Sequence, residues 1–202
     1  MVSSYLRSDS PLGRMLSLIE TPGSSSLRFL ILDCPTESTL SYYLEEFKRS
    51  NVTHVIRCCQ QTYSAARLAQ ENIQVIDMPF KDGGLPPPPI VHDWLQLVDK
   101  QERKSNEENP ITIAVHCVAG LGRAPVLVAI ALIELGMEPL DAVEFVRRKR
   151  RGAFNKPQIA YLDQYKRSMR QKSSSGTSFK SSLGKMFRFG SKKQEAEVVT
   201  IH

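Results

Sequence analysis

The stretch from residue 111 to residue 135 constrains the fold more strongly than any other part of the chain. Residues 111–115 form an apolar run of strand length, and residues 123–135 have the apolar pattern of a buried helix. The connection between them contains two glycines, and Gly136 supplies a stop signal after the helix. A buried strand that turns at once into an apolar helix is typical of α/β proteins.

The remainder of the chain repeats this alternation. Further strands are predicted at residues 27–32, 52–58 and 73–77, and further helices at residues 39–49, 64–71, 90–100, 139–150 and 159–169. The order predicts an α/β fold with a central, mostly parallel sheet and helices on both of its faces.

Shifts in composition divide the chain into three parts. We interpret residues 1–26, rich in Ser, Gly and Pro, as a mobile leader, residues 27–170 as the folded domain, and residues 171–202 as a disordered basic tail. A single domain fits the length of 202 residues. No stretch approaches the about 18 consecutive apolar residues of a membrane span, and no apolar signal segment follows Met1, so a cytoplasmic protein is predicted.

The net charge of +6 is concentrated at one end of the chain. Residues 166–202 hold nine Lys or Arg and two acidic residues, a balance of +7, which leaves residues 1–165 at −1. Apolar side chains recur at helical spacing within this basic segment, at Phe179, Leu183, Met186 and Phe187. We therefore predict that residues 176–193 bind the anionic inner face of the cell membrane. The alternative is a tail that stays solvated. Nucleic-acid binding is disfavoured, because no recognition motif accompanies the charge.

The turn between the central strand and its helix carries the chemistry. Cys117 follows the strand, and Arg123 stands six positions later, where the helix begins. Gly120 and Gly122 allow successive backbone N–H groups of residues 118–122 to turn inward as a nest for phosphate. The helix adds its positive N-terminal end, and Arg123 adds a planar cationic fork for two phosphate oxygens.

This arrangement predicts a phosphatase with Cys117 as nucleophile, because surroundings that bind phosphate also stabilise a thiolate. Val118, Ala119, Gly120, Leu121, Gly122 and Arg123 would bind the phosphate. His116 is interpreted as a donor that shapes the loop. The alternative is a buried cysteine that merely precedes a helix, whereas a Walker-type nucleotide loop is excluded by the absence of Gly-Lys-Ser/Thr. No spacing of Cys and His suits zinc, so neither a metal site nor a cofactor is predicted.

Hydrolysis of a phosphate ester also needs a proton donor for the leaving oxygen. Asp82, in the segment Pro79-Phe80-Lys81-Asp82-Gly83 ahead of a proline-rich loop, is the candidate general acid. Asp77 is the weaker candidate because it ends a predicted strand.

Two segments carry a family resemblance. Residues 115–129 read VHCVAGLGRAPVLVA and residues 148–155 read RKRRGAFN. In these the chain resembles the phosphatase of regenerating liver (PRL) family, the type IVA protein tyrosine phosphatases, and the similarity runs from about residue 27 to residue 170. It implies a fold like that of the dual-specificity phosphatases for the predicted phosphatase domain 27–170.

The resemblance also implies roles for individual residues. Cys117 is the family's nucleophile, Arg123 its phosphate binder and Asp82 its general acid. Cys59 matches the cysteine that forms a reversible disulfide with the nucleophile. Ala124 is particular to the family, where related phosphatases have Ser or Thr, and the missing hydroxyl predicts a slow enzyme.

Substrates and partners follow from the same resemblance. It implies a phosphoprotein or phosphoinositide substrate. It also suggests an alternative function as a binding module, in which the loop captures an acidic side chain of the CBS domain of a CNNM-type magnesium transporter.

The chain departs from the family pattern in two places. Lys81 stands where the family has an acidic residue before Asp82. No cysteine follows Cys117, so the prenylated C-terminal box of the family is not expected.

Overall fold

The computed structural model of the protein describes residues 15–23 and 25–168. Its elements in chain order are β1 (Leu16–Glu20), β2 (Arg28–Leu32), α1 (Leu40–Arg49), β3 (Val52–Arg57), α2 (Ala66–Ala69), β4 (Gln74–Asp77), α3 (Pro88–Glu102), β5 (Thr112–His116), α4 (Arg123–Glu134), α5 (Pro139–Lys149) and α6 (Lys156–Asp163). Strands and helices alternate along most of the chain, as the sequence pattern predicts.

The strands form one sheet in the order β1-β2-β5-β3-β4. Strands β2, β5, β3 and β4 run parallel to one another, and β1 is antiparallel to β2. The predicted mostly parallel α/β sheet is therefore confirmed. Strand β5 lies in its centre, so the residues that follow β5 stand between the carboxyl ends of β2 and β3.

Strand β1 corrects one prediction. Residues 16–20 belong to the sheet, so the mobile leader predicted for residues 1–26 is wrong for them. The side chains of Leu16 and Ile19 are buried, and the Ser17 hydroxyl donates to the carbonyl oxygen of Lys149 at 3.1 Å. The apolar run is short and surrounded by turn-forming residues, so it is stabilised as a strand by tertiary contacts: pairing with β2, burial of its apolar side chains and the bond to Lys149. Residues 1–14 lie outside the described part.

Helices cover both faces of the sheet. Side chains of α3, α4, α5 and α6 pack in one hydrophobic cluster, and those of α1 and α2 pack in a second. Alternate residues of β2 and β5 enter different clusters, because neighbouring side chains of a strand point to opposite faces. Residues 123–133 of α4 are all buried, which explains the apolar pattern of that helix.

The last helix is earlier and shorter than the predicted range of 159–169. It begins at Lys156 because Asn155 and Gln158 form a capping box, in which each side chain bonds the other residue's backbone N–H. Beyond its end, Arg167 folds back and donates to the carbonyl oxygens of Ile133, Gly136 and Met137 at 2.8–3.1 Å. These contacts bind residues 164–168 to the end of α4 in a non-helical conformation.

No helix within the described residues is long and apolar enough to cross a membrane. The predicted basic tail of residues 171–202, with its proposed membrane-binding segment 176–193, lies outside the described residues.

Candidate active site

Cys117 directly follows β5, and Arg123 is the first residue of α4. Both side chains are buried, with 2% of Cys117 and 6% of Arg123 exposed, whereas Val118 and Leu121 between them are largely exposed. The structure therefore places the predicted nucleophile and phosphate clamp at opposite ends of one loop, with an apolar rim facing solvent.

The backbone carbonyls of this loop are bonded outward, to the elements that surround it. The carbonyl oxygen of Val118 accepts from the amide of Cys34 at 2.9 Å, and that of Leu121 accepts from the amide of Phe154 at 2.8 Å. Between them, the carbonyls of Ala119 and Gly120 accept from the guanidinium of Arg150 at 2.9 and 3.2 Å.

This tethering decides where the amide groups of the loop face. In a trans peptide unit the N–H points away from the preceding carbonyl, so the amides of residues 119–122 face the inner side of the loop. Within the described part of the chain these amides donate no backbone hydrogen bond. Inward N–H groups followed by a helix N-terminus form a site suited to an anion.

Gly120 is needed at this point for two reasons. Its φ is +66°, in the left-handed region that favours glycine. A Cβ there would lie 2.5 Å from the carbonyl oxygen of Leu32 and 2.7 Å from Nη2 of Arg150. A side chain at residue 120 would therefore push the loop away from both β2 and Arg150.

Sequence reasoning missed the role of Arg150. It lies in the basic run of residues 147–151 and reads as surface charge, yet its side chain is buried. Besides its two bonds to the loop, it donates to the carbonyl oxygen of Met15 at 2.6 Å and so joins the loop to β1. Desolvation lowers the pKa of Arg150, with partial compensation from Asp33. No local sequence signal separates Arg150 from its exposed neighbour Arg151.

We expect Arg150→Lys to lower kcat/KM for an aryl phosphate by about 10- to 100-fold, because the single nitrogen of a lysine cannot span the carbonyls that three guanidinium nitrogens reach, and the loop shifts. The inhibition constant of inorganic phosphate should rise in parallel. Loss of fold stability alone would reduce the amount of folded enzyme but would leave the phosphate affinity of the folded molecules unchanged. Arg151→Lys, at an exposed site, is the matched control and should behave as wild type. Equal kinetics in both variants would contradict a positioning role for Arg150.

The guanidinium of Arg123 is held by backbone carbonyls through one nitrogen, and a second nitrogen is available to bind an anion. Nη1 donates to the carbonyl oxygens of Cys58 at 2.9 Å and Phe80 at 3.2 Å. Nε lies 3.1 Å from a carboxylate oxygen of Asp82, an ion-pair distance, but the angle does not give a hydrogen bond. A buried donor without a hydrogen bond costs stability, so an anion bound here is stabilised.

Asp82 comes from a different part of the chain, and most of its side chain is exposed. Gly83 and Gly84, which follow it, are held by α6, because Asn155 donates to the carbonyl oxygen of Gly83 at 2.9 Å and Gln158 to that of Gly84 at 3.0 Å. The capping box of α6 therefore fixes the position of the loop that carries Asp82 beside Arg123. These contacts of Asn155 and Gln158 were not predicted from the sequence.

His116 is buried under the loop in a polar network. Its Nε2 lies 2.8 Å from the hydroxyl of Tyr63, and its Nδ1 lies 3.4 Å from the carbonyl oxygen of Cys117. Burial lowers the pKa of His116 to about 4, so the ring is neutral near pH 7. The guanidinium of Arg57 supports this network, since it lies over the ring of Tyr63, 5.0 Å from the centroid. The structure places His116 next to the backbone of Cys117, and its role in shaping the loop stays a prediction.

Asp77 is engaged in a pair of hydrogen bonds. Arg57 donates to its two carboxylate oxygens at 2.6 and 2.8 Å. These bonds hold the pKa of Asp77 below its usual value. Asp77 therefore stays ionised near neutral pH and has no proton to donate.

The cysteines have neighbours that their spacing in the chain does not reveal. Cys58 and Cys59 are buried, and the sulfur of Cys59 lies 3.7 Å from that of Cys34 and 3.9 Å from Nδ1 of His116. The potential metal-ligand atoms of Cys34, Cys59 and His116 all lie within 4.8 Å of one another. Three such atoms are one fewer than the four protein ligands of a structural zinc site.

Fold and loop together define a class of protein. The family model described as protein-tyrosine phosphatase matches residues 38–169. A solved structure of a protein tyrosine phosphatase from Leishmania major aligns with a TM-score of 0.68 at 40% identity, covering 75% of this chain and 99% of that one. The chain is a protein tyrosine phosphatase.

Curated relatives narrow the class to a family. The type IVA A protein tyrosine phosphatase of Dictyostelium discoideum is 53% identical over 74% of this chain and 87% of the relative. Protein tyrosine phosphatase type IVA 2 of Mus musculus is 53% identical over 72% of this chain and 85% of the relative. The chain thus belongs to the type IVA protein tyrosine phosphatases, the PRL family.

Proposed function

We propose that this phosphatase works through a phosphocysteine formed on Cys117. The observation that carries the proposal is the loop after β5, where the carbonyls of residues 118–121 are bonded outward, so that the amides of residues 119–122 face inward between the buried side chains of Cys117 and Arg123. Hydrolysis of an aryl phosphate by the full chain and by Cys117→Ser is the experiment that tests it.

Each step uses groups that the loop supplies. The thiolate of Cys117 attacks phosphorus in line with the ester oxygen, which leaves with the bonding electron pair. Arg123 and the inward amides of residues 119–122 hold the equatorial oxygens, where charge accumulates. Water then attacks the phosphocysteine and releases phosphate and the thiolate.

Asp82 donates the proton to the leaving oxygen in this scheme. Its carboxyl group stands at the mouth of the site, 3.1 Å from Arg123, and is exposed enough to meet an ester oxygen. Asp77 is less suited, because both of its oxygens accept from Arg57. Lys81 gives the Asp82 loop a positive charge beside the site, which favours an anionic phosphate substrate, whether carried by protein or by phosphoinositide.

We expect Ala124→Ser to raise steady-state turnover by about 5- to 150-fold, the equivalent of a hydrogen bond of about 1–3 kcal/mol. Ala124 is fully buried in the same cluster as Cys117, and a hydroxyl there would stabilise the departing thiolate. Steady-state and pre-steady-state hydrolysis of an aryl phosphate measure the effect. An unchanged rate, with no burst of product in either form, would show that breakdown of the phosphocysteine does not limit turnover.

A second candidate function is binding without rapid turnover. Arg123 already lies against the carboxylate of Asp82, so the phosphate clamp also accommodates a carboxylate. An acidic side chain of a CNNM-type transporter CBS domain could take this position, with exposed Val118 and Leu121 contacting its surroundings. The test is whether inorganic phosphate displaces such a domain from the chain. Displacement is expected if the domain occupies the phosphate site, and no displacement is expected if it binds elsewhere.

Reversible oxidation is a further part of the proposed function. We retain the prediction that Cys117, once oxidised, forms a disulfide with Cys59. Cys59 lies close enough to Cys117 and Arg123 for their charges to act on its thiol. Cys58, the competing partner, belongs to the same hydrophobic cluster as Cys117.

A further inference from the structure

We propose that Cys34 and Cys59 form a disulfide of their own beside the active site, and that Cys34 thereby frees Cys117 after oxidation. The inference rests on the proposed function for the role of Cys117, whereas the Cys34–Cys59 bond itself does not depend on catalysis.

The two sulfurs meet above the end of the central strand. Cys34 follows β2 and Cys59 follows β3, and these strands lie on either side of β5. Strands two places apart in a sheet are separated by about 10 Å, so the chains must converge beyond β5 for the sulfurs to approach to 3.7 Å. The two sulfurs are thus neighbours already, and the 3.7 Å between them must shorten by about 1.7 Å to reach the length of a disulfide bond.

Cys34 is fixed in this position from two sides. Its amide donates to the carbonyl oxygen of Val118, so its backbone is bonded to the phosphate loop. Its sulfur lies 3.1 Å from the hydroxyl oxygen of Thr62, whose own proton is donated to the carbonyl oxygen of Pro35 at 2.7 Å. The hydroxyl oxygen is thus left to accept from the thiol of Cys34, which orients that sulfur beside Cys59.

Accessibility assigns different roles to the three sulfurs. Cys117 and Cys59 are buried, whereas Cys34 is partly exposed. Burial raises the pKa of Cys59 to about 12, so this thiol does not react readily with an oxidant on its own. A disulfide that ends on Cys34 is the one that a soluble thiol such as glutathione reaches most easily.

The oxidant in this sequence is hydrogen peroxide. The thiolate of Cys117 attacks a peroxide oxygen, the O–O bond breaks, and Cys117 becomes a sulfenic acid with release of hydroxide. The sulfur of Cys59 displaces the hydroxyl group, its proton leaves in water, and a Cys59–Cys117 disulfide forms. Cys34 then gives its proton to water or to the hydroxide released in the first step, and its thiolate attacks the sulfur of Cys59, so that the Cys59–Cys117 bond breaks, a Cys34–Cys59 disulfide forms and Cys117 leaves as thiolate.

The outcome is a phosphatase that survives oxidation. Two thiols have been consumed and two electrons have passed to the peroxide, yet the nucleophile is reduced. Without Cys34, the chain would stop at the Cys59–Cys117 disulfide and remain inactive until a reductant arrived.

The test uses the full chain and maps its disulfides by tryptic digestion. This is possible because Cys34, Cys59 and Cys117 lie on three separate tryptic peptides. Cys34 lies in peptide 29–48, Cys59 in peptide 58–67 and Cys117 in peptide 105–123. Wild type, Cys34→Ser and Cys58→Ala are treated with hydrogen peroxide, blocked with N-ethylmaleimide and digested without reductant for mass spectrometry. The Cys58→Ala variant shows which cysteine of peptide 58–67 is bonded. Activity is measured before and after dithiothreitol.

We expect wild type and Cys58→Ala to yield the crosslink between peptides 29–48 and 58–67 and to keep most of their activity. Cys34→Ser should yield the crosslink between peptides 58–67 and 105–123 and lose activity by about tenfold or more until dithiothreitol is added. The proposal is overturned if wild type contains only the second crosslink, or if Cys34→Ser and wild type lose activity alike. Bound zinc that protects Cys34 and Cys59 from alkylation in the purified chain would also overturn it, because the pair would then be a metal site.

A second experiment tests the Cys34–Cys59 disulfide in a chain that lacks the nucleophile. Cys117→Ser is treated with diamide, an azo compound that is reduced as it joins two thiols directly. The crosslink between peptides 29–48 and 58–67 should form in this variant as in wild type. Its absence from both chains would overturn the disulfide while leaving the phosphatase proposal intact. If the crosslink forms but wild type hydrolyses no aryl phosphate under reducing conditions, the disulfide stands and the phosphatase proposal is overturned.

Discussion

Replacing Cys117 by serine is expected to abolish turnover of aryl phosphates, lowering kcat by about 10⁴-fold or more. A serine hydroxyl ionises far less readily than a thiol and is a weaker nucleophile, and no general base stands beside residue 117 in the described part of the chain. His116 cannot serve as that base, because its Nε2 is bonded to Tyr63 and its Nδ1 faces the carbonyl of Cys117. Hydrolysis under reducing conditions measures the loss.

The matched control for Cys117→Ser is Cys34→Ser, which makes the same chemical change beside the loop but outside the phosphate site. Under reducing conditions it should hydrolyse aryl phosphates as wild type does. Binding of inorganic phosphate should persist in Cys117→Ser, because the amides and Arg123 are unaltered. Wild-type activity in Cys117→Ser would refute the assignment of Cys117 as the nucleophile.

The second large effect is expected for Asp82→Asn, and it depends on the leaving group. For a phenyl phosphate with a strongly basic leaving oxygen, kcat should fall by about 10²–10⁴-fold, because the proton donor is lost. For a nitrophenyl phosphate, whose leaving oxygen needs little protonation, the fall should be less than about tenfold. The ratio of the two losses is the measurement.

Asp77→Asn serves as the comparison for Asp82→Asn. It removes a carboxylate that Arg57 bonds twice, so it should lower the melting temperature and affect both substrates equally. A larger leaving-group dependence in Asp77→Asn than in Asp82→Asn would reassign the general acid.

Features that depend on neighbouring residues could be predicted from the sequence. Local patterns mark the strand before Cys117, the glycines of the loop and the helix that begins at Arg123. The structure places these elements as predicted, with the strand shifted by one residue. The mostly parallel sheet could also be predicted, because a chain of alternating strands and helices has few possible topologies.

Features that depend on pairing between distant residues were not predictable in this way. Leu16 and Ile19 are too few to identify a strand unless β2 is known to lie beside them. Arg150 resembles a surface cation until the carbonyls of Ala119 and Gly120 are seen to face it. The proximity of Cys34 to Cys59 arises from chain convergence beyond β5, which no spacing between the two residues encodes.

The most direct test of the central claim is rapid-quench hydrolysis of a nitrophenyl phosphate by the full chain, followed by acid trapping and peptide mass analysis. The account predicts a burst of nitrophenol close to one equivalent per chain, and a single phosphoryl group on Cys117 in peptide 105–123. Cys117→Ser should show neither. Steady hydrolysis without a burst together with phosphate on a different residue, or a full burst in Cys117→Ser, would contradict the account.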